Sequence, residues 1–134
     1  MDFERAARFN SWISEQECIM NIALRESDDI AIIDIAGDIC RLAAAAATLH
    51  PIIKSQVERG RRSILLNLEK VNSVDSFGIG ELLASYISIQ NAGGKVKFVG
   101  IPRRIDILFR IVGLDRVFEV YRTESSALES FIDS

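Results

Sequence analysis

The sequence predicts an α/β sandwich: a mixed central sheet with four main helices, preceded by an N-terminal extension. Three observations point there. Short apolar runs of strand length alternate with stretches of helical spacing, the connections between them are short, and 134 residues at 49% hydrophobic content suffice for one core. The plainest unit is residues 63–91. Ile64, Leu65, Leu66 and Leu68 form a buried-strand run, and Ile79, Leu82, Leu83, Tyr86, Ile87 and Gln90 recur at helical spacing. Residues 71–80 between them read as an exposed loop and a helix entry.

Residues 1–18 stand apart from the domain at 19–134. Phe3, Ala6, Ala7, Trp12 and Ile13 sketch an irregular amphipathic helix with Asp2 at its positive end. An appendage packed on the domain, a partner-binding or dimerising helix and local disorder are all compatible with that pattern. Residues 19–25 alternate as a strand, Glu26-Ser27-Asp28-Asp29 reads as a turn, and residues 30–35 form a second strand, which together make an antiparallel hairpin. Ala36-Gly37-Asp38-Ile39 leads onward, with Gly37 suited to a tight bend near another backbone segment.

Helical spacing starts at Leu42 and runs through Ala45, Ala46 and Leu49, then Ile53 and Val57; Pro51 is expected to kink or divide it. Arg59, Arg61 and Arg62 read as a solvated helix end. A strand at 63–68 follows, placed by a crossover into a parallel or mixed sheet. Gly93-Gly94 turns the chain into a strand at 95–99. After Gly100-Ile101-Pro102, Ile105, Leu108, Phe109 and Val112 share one helical face that stops at Gly113. Residues 117–121 make the last strand, and Thr123 caps a terminal helix that packs through Ala127, Leu128 and Phe131. The resulting order is β-β-α-β-α-β-α-β-α.

Several function classes are disfavoured. A net charge of -3 supplies no general attraction to nucleic acid or anionic membranes, so neither direct nucleic-acid binding nor direct membrane insertion is expected. Polar residues interrupt each hydrophobic stretch before bilayer length. Cys18, Cys40 and His50 are poor material for a zinc site or a disulfide framework, which favours a reducing, cytoplasmic setting. The chain has neither a Gly-x-Ser-x-Gly nucleophile elbow nor a phosphate-binding Gly-x-x-x-x-Gly-Lys-Ser/Thr motif, and His50 reads as structural, so no enzymatic activity is expected.

The chemistry concentrates in Val74-Asp75-Ser76-Phe77-Gly78-Ile79-Gly80. Ser76 falls where loop becomes helix, close to the N-cap position, so its hydroxyl has two readings: it accepts an amide hydrogen bond as a cap, or it is a regulated phosphoacceptor. A phosphate adds roughly two negative charges beside Asp75 and Glu81, enough to repel a partner, while the helix amides steady it without unfolding the domain.

The sequence resembles the STAS family, named for sulfate transporters and antagonists of anti-sigma factors. The resemblance rests on Leu65-Leu66-Asn67-Leu68 and on Val74-Asp75-Ser76-Phe77-Gly78-Ile79-Gly80-Glu81-Leu82-Leu83. Ile35-Ala36-Gly37-Asp38-Ile39 and Gly93-Gly94-Lys95-Val96-Lys97-Phe98-Val99 support it. It implies a STAS-like sandwich and an anti-sigma factor antagonist that binds a serine-kinase anti-sigma factor until Ser76 is phosphorylated. A metal-dependent serine phosphatase then resets it. ATP and metal belong to those partners, and this chain needs no cofactor. By the same resemblance Gly37, Asp38, Asp75, Ser76, Phe77 and Ile79 face the partner, while Asn67, Gly78 and Gly80 support the loop. Ser73 matches the phosphoacceptor less well. Asn67 stands where many such sequences have aspartate, and Phe77 where a small polar residue is common. The alternative the family offers is a non-catalytic scaffold or a regulatory subunit of a signalling complex or lipid-transport ATPase.

Overall fold

The computed structural model describes residues 19–43, 45 and 48–133. The expectations for residues 1–18, including Cys18 and dimerisation through this segment, lie outside them. Five strands, β1 (Met20–Ser27), β2 (Ile30–Ile39), β3 (Ser63–Val74), β4 (Lys95–Val99) and β5 (Glu119–Tyr121), pair in the order β1-β2-β3-β4-β5. The β1–β2 hairpin is antiparallel, and the other neighbours are parallel. Four helices, α1 (Leu49–Glu58), α2 (Ser76–Asn91), α3 (Arg103–Val112) and α4 (Glu124–Asp133), complete the mixed sandwich.

Strand periodicity divides the apolar residues between two faces. Ile33, Ile35, Ile64, Leu66, Leu68 and Phe98 meet Leu49, Ile53, Leu82, Ile89, Ile105 and Phe109 of α1, α2 and α3. Ile30, Ile32, Leu65 and Val99 on the opposite face meet Ala127, Leu128 and Phe131 of α4. Phe98 stacks on Phe118 with ring centroids 4.3 Å apart, and Phe109 meets Phe118 edge-on at 5.6 Å. Thr123 caps α4 as expected, its hydroxyl accepting from the Ser126 amide at 3.2 Å.

Several local expectations are corrected. The strand read as 30–35 continues to Ile39, because Gly37, at φ +94, carries the ladder through a register shift where a Cβ would strike the Ile19 carbonyl oxygen. The supposed exposed loop at 71–74 is the end of β3, with Val71 and Val74 buried. Pro51 neither kinks nor divides α1. The helix starts at Leu49, so Pro51 lies in the first turn, where the amide it lacks has no intrahelical partner. Val112 is 50% exposed although Phe109 is buried, and Val117 is exposed because β5 starts only at Glu119. His50 is structural: its Nε2 lies 2.8 Å from Ser88 Oγ across the α1–α2 contact. Among the described residues, no helix is long and apolar enough to cross a membrane, and no cluster of three or more His, Cys, Asp or Glu could hold a metal.

Arg25 ties the hairpin to α4. Its guanidinium donates to Asp34 on β2 at 2.5 and 2.9 Å and to Glu124 at 2.6 and 3.2 Å. Hydrogen bonding to Arg25 is the main reason the Asp34 carboxyl sits below the usual carboxylate range. A lowered folded-state pKa contributes stability above the unfolded value of about 3.9, and that stability is lost as pH falls through the folded value. Arg25→Ala is therefore expected to cost about 1 kcal/mol at neutral pH, the partial exposure of the cluster limiting its worth. The difference from wild type should shrink towards about pH 2. Urea unfolding across pH checks this; an equal loss at every pH would assign the effect to packing of the Arg25 stem.

Candidate functional site

β3 delivers the chain to the carboxyl end of the sheet, where Asp75 is extended (φ -98, ψ -174) and α2 begins at Ser76. The Asp75 carboxylate makes two bonds. Oδ1 accepts from the Gly78 amide at 2.9 Å and Oδ2 from the Arg41 amide at 2.9 Å. The Asp75 amide donates to the Ile39 carbonyl at 3.2 Å. Gly78 closes the contact: a Cβ there would run into the Ile39 carbonyl oxygen and come within 2.8 Å of Val74 Cγ1. The start of α2 is thus fastened to the end of β2.

Ser76 is therefore the first helical residue and not the cap. An aspartate side chain caps as well as a serine, and its charge gains from the positive end of the helix, so Asp75 takes the role. The Ser76 side chain is exposed, and its hydroxyl has no hydrogen bond among the described residues. Beside it lies a shallow groove of about 310 Å³ lined by Val74, Asp75, Ser76, Ile79, Leu108 and Val112. Ser76 thus sits at the rim of an otherwise largely apolar depression between α2 and α3.

The remaining sequence-predicted residues divide. Ile79 lines the groove, whereas Phe77 is half-buried and packs against the helix-side core. Asp38 is only 8% exposed, so it does not offer a surface carboxylate. Its Oδ1 accepts from Ser73 Oγ at 2.7 Å and its Oδ2 from the Ile19 amide at 3.4 Å. That bond occupies the Ser73 hydroxyl, the other candidate in this stretch. Gly37 shapes the β1–β2 contact beside it. Gly78 supports the α2 entry through close approach, but Gly80 is exposed, with open space where a Cβ would stand. Asn67 does not reach the α2 entry either. It faces the α4 side of the sheet, where Nδ2 donates to Asp34 at 2.8 Å and Oδ1 accepts from the Glu69 amide at 3.1 Å.

Sequence reasoning missed Arg41, whose contribution is a backbone amide that carries no side-chain signal, and it read Leu108 and Val112 only as positions on a packing face.

The STAS domain profile matches residues 21–127. The chain belongs to the STAS domain family. This makes it a regulatory and scaffolding domain rather than an enzyme. A candidate anti-sigma factor antagonist of Thermotoga neapolitana is 36% identical over 73 residues, which span 54% of this chain and 65% of that relative. The anti-sigma-B factor antagonist of Staphylococcus aureus is 25% identical over 101 residues, 75% of this chain and 92% of that one. The Bacillus cell fate determinant SpoIIAA in its phosphorylated form superposes with a TM-score of 0.66 at 18% identity, covering 83% of this chain and 99% of that one, which establishes likeness of fold.

The two glycines of the α2 entry should respond oppositely to substitution. Gly78→Ala is expected to destabilise the STAS domain by about 1–3 kcal/mol, because the added methyl overpacks the contact with Ile39. Gly80→Ala is expected to be neutral or stabilising by up to about 1 kcal/mol, since it adds helix propensity in open space. Asp75→Ala should cost about 1–2 kcal/mol through the lost cap. Denaturant midpoints measure all three, and similar values for the two glycine variants would contradict the close contact at Gly78.

Proposed function

We propose that this chain is a cytoplasmic, phosphorylation-controlled protein-binding switch of the anti-sigma factor antagonist type. Unmodified, it binds a serine-kinase anti-sigma factor; phosphorylation of Ser76 by that kinase releases it, and a metal-dependent serine phosphatase restores binding. The observation that carries this reading is the exposed Ser76 hydroxyl, relieved of capping by Asp75, at the edge of the groove between α2 and α3. The names of the Thermotoga and Staphylococcus relatives, and the existence of SpoIIAA in a phosphorylated form, support it.

The local electrostatics explain how a phosphate would act. It brings roughly two negative charges next to the Asp75 carboxylate and to a groove whose other walls are apolar. The Gly78 amide is already committed to Asp75, which leaves the Ser76 and Phe77 amides at the helix start to steady the phosphate. The domain remains folded while a partner seated in the groove meets a charge it cannot pair. Phe77, packed inward, shapes the helix entry from below, and Ile79 contributes the apolar contact.

With a purified serine-kinase anti-sigma factor and ATP, Ser76→Ala should abolish phosphate incorporation and keep binding. Ser76→Asp should weaken binding at least about tenfold, a loss of about 1.4 kcal/mol. Isothermal titration and phosphosite mapping measure the two effects. Phosphate retained at normal stoichiometry in the alanine variant would move the modification elsewhere. Recovery of a lipid-transport complex that binds equally well with Ser76→Asp would make the domain a scaffold or regulatory subunit.

A further inference from the structure

α3 turns an apolar ridge flanked by arginines away from the sheet. A helix advances about 100° per residue, and Ile105 and Phe109 mark the buried side of α3. Its exposed arc then runs, in order round the helix, through Arg110, Arg103, Ile107, Ile111 and Arg104. Ile107 and Ile111, one turn apart, are 47% and 76% exposed, with arginine on either side of them. No carboxylate of α3 lies within this arc. Asp106 stands at its margin, where Oδ2 accepts from Arg110 Nε at 3.0 Å.

The ridge is a different surface from the groove beside Ser76. Leu108 and Val112, the α3 residues of that groove, lie about 100° further round the helix. Apolar exposure alone says little: Ile132 of α4 is 75% exposed, but α4 carries Glu124 and Glu129 and no cation. On α3 apolar exposure coincides with positive charge. Residues 103–116 hold four arginines, Arg103, Arg104, Arg110 and Arg116, against two aspartates, Asp106 and Asp115, a local charge of +2 on a chain whose total is -3.

This arrangement matches an anionic lipid surface. Isoleucines in the middle of the arc suit the boundary between headgroups and acyl chains, and the arginines beside them lay their aliphatic stems along apolar surface while the guanidinium groups stay at the phosphates. A convex ridge about 15 Å long that carries two isoleucines falls far short of the roughly 800 Å² that a stable protein partner covers on each side. Lipid binding needs no such area, because each arginine adds its own attraction to a charged leaflet. The net charge of -3 does not oppose this, since exposed charges more than about 8–10 Å away are largely screened and the arginines that face the surface decide.

We propose that α3 is a peripheral docking element for anionic phospholipid. It lies in the plane of the bilayer surface without spanning it, with Ile107 and Ile111 in the headgroup region and Arg103, Arg104 and Arg110 on lipid phosphates. This docking is independent of the Ser76 reading.

Co-sedimentation of the full chain with vesicles tests it. The wild type should bind vesicles made of phosphatidylglycerol and phosphatidylcholine in equal parts, leave phosphatidylcholine vesicles unbound, and lose binding as salt is raised. Arg103→Gln combined with Arg104→Gln should weaken vesicle affinity about twentyfold, roughly fivefold for each arginine. Ile107→Ser combined with Ile111→Ser should weaken it at least about tenfold through the lost apolar contact. Unchanged circular dichroism in both variants excludes unfolding as the cause. Equal binding to the two kinds of vesicle, or undiminished binding in either variant, would overturn the proposal. So would a wild type that ignores anionic vesicles. In that case, loss of binding to a purified serine-kinase anti-sigma factor in the arginine variant would assign the ridge to a protein interface, and a dimer that the isoleucine variant dissociates would assign it to a second copy.

Discussion

The Asp75 carboxylate holds the structure's functional end together. One oxygen closes the first turn of α2 and the other holds the Arg41 amide just beyond β2. The carboxylate itself stands at the positive end of α2, where a negative charge is already favoured. Because this one side chain does the capping, its neighbour need not, and the Ser76 hydroxyl stands free at the surface. Gly78 makes the arrangement specific: only a residue without a Cβ lets the helix start lie against the Ile39 carbonyl. The serine hydroxyl is thus left unbonded because its neighbour has taken the cap.

That fastening depends on a sheet whose two faces are treated differently. Three helices cover one face and α4 covers part of the other. On the sparser side polar side chains assist the packing. Asp34 links Arg25 and Asn67, and Lys97, 2% exposed, reaches Ser130 Oγ at 2.9 Å with the Phe131 ring centroid 4.8 Å away. An ammonium withdrawn from water requires such partners, and here α4 brings a hydroxyl and an aromatic face to it. The polar network thereby positions α4, while the apolar face positions α1, α2 and α3 around the serine.

The alternation of elements was legible because it depends on local periodicity. The hairpin, the run from Ile64 to Leu68, the presence of α2 and the Thr123 cap fall where side-chain spacing and capping chemistry predict them, but the inward face of α2 turns on Leu82, Ser85 and Ile89, leaving Ile87 and Gln90 of the predicted face exposed. The site was legible in part, through Asp75-Ser76-x-Gly at the junction of strand and helix. The errors share a cause. Asp38 looked like a recognition carboxylate until the fold buried it against Ser73; Gly80 looked equivalent to Gly78; and Val112 looked like core. In each case the answer depends on a neighbour distant in the sequence.

Composition and periodicity by themselves determined the α/β class, the order of elements and the helix entry that carries the serine, since these follow from backbone propensity and from which faces are apolar. Only the tertiary structure decided which of two adjacent residues caps α2, because the choice rests on the Arg41 amide and the Ile39 carbonyl arriving from another strand. It also decided that Ser76 borders a groove, because Leu108 and Val112 reach it from α3, about thirty residues further along the chain. A local pattern specifies what a side chain can do, whereas long-range packing sets what it meets.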